Sequence, residues 1–156
     1  MPTEPASGGC LLVASNGGHL LQLSQLKDSW PREERHWVTF DKPDARSMLA
    51  GEAVTYAHHP TNRNIPNLLR NLRLALTLVR RLRPRAIVTT GAGVAVPFCW
   101  VGRAFGARIV YIESFARVNR PSLTGKLVHP VAHRFFVQWP GMQAHFRKAE
   151  YRGGIF

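Results

Sequence analysis

Residues 11–23 read LLVASNGGHLLQL: a short apolar run, Ser15 and Asn16, two glycines, His19, and a second apolar run. A short apolar run bounded by turn residues reads as a buried strand, and the run beyond the glycines resumes with helical spacing. Strand, tight turn and helix in that order form the first unit of a parallel sheet. The same alternation continues along the chain. Strands are expected at 10–14, 36–40, 53–57, 86–90, 108–112 and 134–137, and helices at 18–28, 65–82, 94–105, 122–132 and 140–147. The expected fold class is α/β, a Rossmann-like parallel sheet. The 156 residues, 45% of them apolar, suffice for one domain with a real core. No repeat, low-complexity tract or linker divides them, so residues 1–156 are expected to form a single domain.

The formal net charge is +12 and is unevenly spread. Residues 1–52 hold seven acids and five bases, whereas residues 53–149 hold fifteen bases and one acid, Glu113. Such a field attracts nucleic acid, anionic lipid, or phosphate groups on a small substrate. No helix-turn-helix, zinc-finger or RNP-type strand accompanies the charge, and charge alone gives only salt-dependent, non-specific nucleic-acid binding. Cys10 and Cys99 lie far apart in apolar runs and read as buried thiols in a reducing compartment. MPTEPASGGC has neither the basic start nor the apolar stretch of a signal peptide. The longest apolar candidate, residues 94–112, is broken by Pro97, Arg103 and Arg108, so no transmembrane span is expected. The expected location is the cytoplasm, with any membrane attachment peripheral.

Plotted at 100° per residue, the helix expected at 65–82 gathers Arg70, Arg73, Arg80 and Arg81 within an arc of about 100°. Leu68, Leu72, Leu76, Val79 and Leu82 lie opposite. One reading is a solvated basic face. The other is contact with an anionic membrane, where each Lys or Arg near the headgroups contributes about 1 kcal/mol.

Ligands of parallel α/β sheets bind beyond the carboxyl ends of the strands. Two expected loops there have suitable chemistry: Ser15-Asn16-Gly17-Gly18-His19 and Thr89-Thr90-Gly91-Ala92-Gly93. Glycines let backbone N–H groups approach an anion closely, so the pair would suit a diphosphate. A dinucleotide site is the rival reading, because Asp41 ends the second strand where a ribose-binding acid is expected. Against it, the glycines do not fit G-x-G-x-x-G, and His19 follows Gly18 directly. A neutral His19 imidazole would act as a base or donate to a phosphate oxygen, or else form a capping bond with no chemistry. Glu113 either pairs with Arg117 at i,i+4 or, as a solitary acid at the ligand edge, binds a hydroxyl or acts as a base. Ser114, Arg117 and Arg120 follow on the same segment, where the arginines can meet phosphate. His129 and His133 lack the glutamate and third ligand of a zinc site; no metal or other cofactor is expected.

Four segments together carry a family resemblance: ASNGGHLLQL (14–23), IVTTGAGVAVPF (87–98), VYIESFARVNRPSLTGKLVHPVAHRFFVQWP (110–140) and YRGGIF (151–156). The chain resembles the oligosaccharide-biosynthesis family that supplies the membrane-associated subunit of split glycosyltransferases, from its first strand to its last residue. It is similar, more distantly, to the N-terminal half of the peptidoglycan N-acetylglucosaminyltransferase, a two-domain GT-B enzyme. The resemblance implies an acceptor-binding half of a GT-B fold whose donor-binding half is a separate chain. It implies transfer, with inversion, from a UDP-sugar held mainly by that partner to a sugar on a lipid diphosphate, in capsule or exopolysaccharide assembly. His19 and Glu113 are then the candidate catalytic residues. Asn16, Gly17, Gly18, Gly91, Gly93, Ser114 and Arg117 would bind the acceptor diphosphate, and Arg70, Arg73, Arg80 and Arg81 would meet the membrane. Two departures follow: Ser15 stands where the family often has a further glycine, and the N-terminal membrane span of eukaryotic relatives is not expected here, so any attachment is expected to be peripheral. A stand-alone nucleotide-binding protein remains the alternative.

Overall fold

In the computed structural model, which describes residues 8–156, seven strands form one parallel sheet in the order β3-β2-β1-β4-β5-β6-β7. The strands are β1 (Cys10–Ala14), β2 (Arg35–Phe40), β3 (Val54–Ala57), β4 (Ala86–Gly91), β5 (Arg108–Ile112), β6 (Arg134–Val137) and β7 (Ala149–Tyr151). The helices are α1 (Gly18–Ser24), α2 (Pro43–Met48), α3 (Ile65–Leu82), α4 (Ala95–Ala104) and α5 (Leu123–Val128). Residues 1–7 of the stretch read as lacking a leader lie outside the described residues.

Central strands buried on both faces account for the continuous apolar runs. Alternation within a strand then splits the core in two. Leu11 and Val13 face a cluster with Ala75, Leu78 and Val79 of α3, Phe98 and Cys99 of α4, and Val128 of α5. Cys10, Leu12 and Ala14 face the other side, against Leu20 and Leu23 of α1 and Ala45 and Leu49 at α2. Both cysteines are buried and free, and desolvation pushes the Cys10 thiol up to about 12. The strand order reverses between β1 and β4, so their carboxyl ends flank the crevice where such sheets bind ligands.

Several expectations shift. Strand β7 and helix α2 are additional; each is a short element with too few residues to show a period. Helix α1 stops at Ser24, and a 3-10 turn, Lys27–Ser29, follows it. Helix α5 gives way to a 3-10 turn at His129–Val131, where Pro130 lacks the N–H that would continue the helix. The segment expected as a helix at 140–147 is a 3-10 turn, Pro140–His145, with Gly141 disfavouring a helix at its start.

Helix α3 has the expected bounds but a different inward face. Asn64 caps it, its side chain accepting from the Asn67 N–H at 3.0 Å, and Arg83 ends it in a left-handed conformation before Pro84. Val79 and Leu82 are buried, yet Leu68 and Leu72 are exposed and Leu76 only half-buried. The inward positions of the first turns belong to Asn67 and Asn71 instead. Asn71 accepts from the His58 N–H at 2.8 Å and donates to the His58 carbonyl at 2.9 Å, while Asn67 donates to the Pro60 carbonyl at 2.8 Å. Buried polar groups need partners, and these two fix the β3–α3 loop. Among the described residues no helix is long and apolar enough to cross a membrane.

The β2 side is locked by an ion pair whose side chains are only 8% and 9% exposed, Arg35 with Glu52. The Arg35 guanidinium donates to both Glu52 oxygens, at 2.5 and 3.0 Å, and to the carbonyls of Lys27 and Trp30; the Trp37 indole also donates to Glu52. The hydrogen bond from Arg35 holds the Glu52 carboxyl below its ordinary value. A carboxyl depressed in the folded state contributes stability above its unfolded pKa and loses it as pH falls through the folded value. Glu52→Ala should therefore cost about 3–5 kcal/mol at pH 7 by leaving a buried, unpaired guanidinium. Denaturant melts should show that penalty shrinking as the pH is taken from 6 down below the ordinary carboxylate range. A penalty unchanged across that range contradicts this assignment.

Candidate active site

A cleft of about 910 Å³ opens at the carboxyl edge of the sheet. Four loops build it: Ser15 and His19 after β1, Thr61–Asn64 after β3, Ala92 and Gly93 after β4, and Ser114 to Thr124 after β5. Ile65, Leu68, Val96, Leu123 and Leu127 complete its walls.

His19 joins two of these loops. Its Nδ1 lies 2.9 Å from the Thr90 carbonyl, and the Thr90 hydroxyl donates to the His19 carbonyl at 2.6 Å. A carbonyl only accepts, so Nδ1 carries a proton, and in the tautomer this bond selects the lone pair lies at Nε2. No protein group among the described residues occupies Nε2. The close fit needs Gly91, whose φ is 108°: a Cβ there would sit 2.9 Å from the Tyr111 hydroxyl and 3.5 Å from the His19 ring.

Glu113 is 1% exposed, and its carboxylate is not among the groups lining the cleft. It accepts from the Ser122 hydroxyl at 2.7 Å, the Ser122 N–H at 3.0 Å, the Tyr111 hydroxyl at 3.2 Å and the Ser114 N–H at 3.3 Å. Ser122 in turn caps α5, its hydroxyl accepting from the Gly125 N–H at 2.9 Å. A carboxylate with so many donors holds its loop in place. The i,i+4 pair with Arg117 does not form. Burial and the neighbouring Glu113 charge drive the Tyr111 phenol well above its ordinary pKa.

Of the residues expected to bind the acceptor, Gly93, Ser114 and Arg117 line the cleft with His19, whereas Asn16, Gly17, Gly18 and Gly91 are not among its lining residues. The Gly17 N–H donates instead to the Asp44 carboxylate at 2.8 Å, and the Asn16 amide to the same group at 3.3 Å. Asp41, the acid of the dinucleotide alternative, is paired with Arg46 at 2.5 Å. Arg70, Arg73, Arg80 and Arg81 are all exposed on α3. Arg70 donates to Asn67, and Arg80 lies over the Phe105 ring.

The sequence reading missed the β3–α3 loop. Thr61, Asn62, Arg63 and Asn64 enter the cleft, and Gly93 approaches so closely that a Cβ there would lie 3.0 Å from the Thr61 hydroxyl oxygen. The strand-end rule that selected the other loops applies to HHPTNRNIP as well; the absence of a glycine there concealed it. Arg63 is held at a φ of 50°, rare for a side chain with a Cβ. The guanidinium groups of Arg63 and Arg117 have no ion-pair or hydrogen-bond partner among the described residues, and no carboxylate lines the cleft. The arrangement sets two guanidinium groups beside an imidazole whose Nδ1 is engaged and whose Nε2 has no partner among the described residues.

A family model described as "Oligosaccharide biosynthesis protein Alg14 like" matches residues 54–155. The chain belongs to the Alg14-like family. The UDP-N-acetylglucosamine transferase subunit ALG14 of Candida albicans is 32% identical over 165 residues, covering 91% of this chain and 75% of the relative. The subunit of that name from Rattus norvegicus is 28% identical over 184 residues, covering 98% and 85%. With the Yarrowia lipolytica subunit, identity is 38% over 86 residues, a stretch spanning 40% of that relative. Among solved structures, MurG of Acinetobacter baumannii superposes with a TM-score of 0.74 at 14% identity, over 94% of this chain and 46% of its own. An S. aureus MnaA–UDP structure gives 0.72 at 10%, over 95% and 44%. At such identities the likeness is one of fold, and this Alg14-like chain spans about half the length of either structure.

The Glu113 network makes a prediction separable from chemistry. Glu113→Gln replaces an acceptor oxygen by an amide facing donors, so one of Ser122, Tyr111 or Ser114 loses its partner. Denaturant unfolding should show a loss of about 1–3 kcal/mol. A stability equal to that of the parent chain would mean the network does not hold the β5–α5 loop.

Proposed function

We propose that this Alg14-like chain is the acceptor-binding subunit of a two-component glycosyltransferase. In this reading it presents a sugar on a lipid diphosphate to a UDP-sugar, with N-acetylglucosamine the donor sugar that the relatives' names favour. The observation that carries it is the cleft itself: among the described residues, its two guanidinium groups have no partner, no carboxylate lines it, and the His19 Nε2 is free. The word subunit in the relatives' names supports a donor-binding half carried by a separate chain. Capsule or exopolysaccharide assembly is the setting this reading adopts from the resemblance.

In the proposed reaction the acceptor hydroxyl oxygen bonds to the anomeric carbon as the bond from that carbon to the UDP oxygen breaks. The hydroxyl proton passes to His19 Nε2, and the electron pair of the broken bond leaves with UDP on the partner subunit. A single displacement inverts the anomeric centre. His19 acts as the general base, a role that contributes about 10²–10⁴-fold. Arg63, Arg117, Ser114 and Gly93 hold the acceptor diphosphate. Glu113, behind Ser114 and Ser122, is a positioning residue. Asn16, Gly17, Gly18 and Gly91 shape the turns that aim His19. The basic arc of Arg70, Arg73, Arg80 and Arg81 faces the anionic cytoplasmic leaflet, so attachment is peripheral.

Transfer from radiolabelled UDP-N-acetylglucosamine to a short-chain lipid-diphosphate sugar should require this chain together with a separate donor-binding subunit. Arg117→Ala should raise the acceptor KM by about tenfold or more, as expected for a lost charge-assisted hydrogen bond. Full activity of the chain alone, or an unchanged acceptor KM, overturns the reading. In sedimentation with vesicles, binding should require anionic lipid and weaken when Arg70 and Arg73 are both changed to Glu; binding indifferent to both overturns the membrane assignment.

A further inference from the structure

The cleft has two chemistries. Its lining combines a polar and cationic set, His19, Arg63, Ser114 and Arg117, with an apolar set, Ile65, Leu68, Val96, Leu123 and Leu127. The apolar set lies on three neighbouring helices and continues along them beyond the cleft. Ile65, Leu68 and Leu72 follow one another on α3 at helical spacing, and Leu123 and Leu127 do so on α5. Helix α4 packs between those two, presenting Val96 and, one turn on, Trp100, whose indole donates to the Leu127 carbonyl at 3.0 Å. The walls are open to solvent: Ile65 is 68% exposed and Leu123 71%. Contiguous exposed apolar surface of this kind marks a binding site.

We propose that this groove between α3 and α5 seats the first segment of the hydrocarbon chain of a lipid diphosphate, with the diphosphate gripped between Arg63 and Arg117 where groove and cleft meet. The argument is that one cleft is lined both by two guanidinium groups with no counter-charge among the described residues and by exposed apolar side chains, so one ligand with an anionic head bonded to a hydrocarbon tail satisfies both. From Ile65 to Leu72 the channel runs about 10 Å along the helix axis. The protein thus takes the start of the chain out of the bilayer and fixes the diphosphate, and the sugar beyond it, relative to His19. This inference rests on the lipid-diphosphate reading above and adds that the tail is recognised by the protein itself.

Calorimetric titration of the full chain, without membranes, tests it with inorganic diphosphate, dimethylallyl diphosphate, geranyl diphosphate and farnesyl diphosphate. Affinity should rise several-fold with each added isoprene unit up to the length of the channel and then level off. Leu68→Gln and Leu127→Gln should each flatten that series, with inorganic diphosphate as the reference in every variant. Equal affinity across the series, with diphosphate itself bound, overturns the groove and leaves the diphosphate site standing. No binding of any of the four overturns the diphosphate reading, and the groove with it. A series that still rises in both variants while their vesicle binding is lost would make the stripes a membrane-docking surface, and would also overturn the groove.

Discussion

The site depends on one reciprocal pair of hydrogen bonds, His19 Nδ1–H to the Thr90 carbonyl and the Thr90 hydroxyl to the His19 carbonyl. It spans the crevice where the strand order reverses, tying the start of α1 to the end of β4. Because a carbonyl can only accept, the bond selects the ring tautomer as well as its orientation. Gly91 beside it is required by its φ of 108° and by the Tyr111 hydroxyl, which a Cβ would meet at 2.9 Å. The base proposed for sugar transfer is therefore aimed by the backbone of the sheet.

Around that pair, two loops are held by buried polar groups. Glu113 organises the β5–α5 loop through Ser114 and Ser122, and Asn67 and Asn71 hold the β3–α3 loop from inside α3. Gln22 of α1 also ties the β5–α5 loop, accepting from the Phe115 N–H and from the Gln138 amide, which also donates to the Glu113 carbonyl. These groups spend their hydrogen bonds within the fold. Among the described residues that leaves the Arg63 and Arg117 guanidinium groups and His19 Nε2 without partners in the cleft.

The strand pattern was legible because a parallel sheet buries both faces, so β1 appears as an unbroken apolar run and β4 and β5 as shorter ones, residues 86–88 and 109–112. His19, Gly93, Ser114 and Arg117 followed from the rule that ligands sit at strand carboxyl ends. Arg63 escaped because its loop has no glycine, and its left-handed backbone cannot be read from residue type. The inward face of α3 escaped for a different reason: hydrophobic periodicity assumes that the core is apolar, and Asn67 and Asn71 are buried to bond a loop. Glu113 stood out as a solitary acid, and a sequence cannot show that four donors converge on its carboxylate and keep it from lining the cleft. Strand β7 and helix α2 are too short to carry a period.

The central claim is that His19 Nε2 takes the acceptor proton while the rest of the cleft only binds and orients. The most direct measurement is single-turnover transfer by the assembled pair carrying His19→Ala, at saturating acceptor, with assembly and acceptor affinity measured alongside. The account predicts a fall of about 10²–10⁴-fold in the rate of the chemical step, with acceptor affinity changed far less. A rate close to that of the parent pair would contradict it and place the base on the partner subunit.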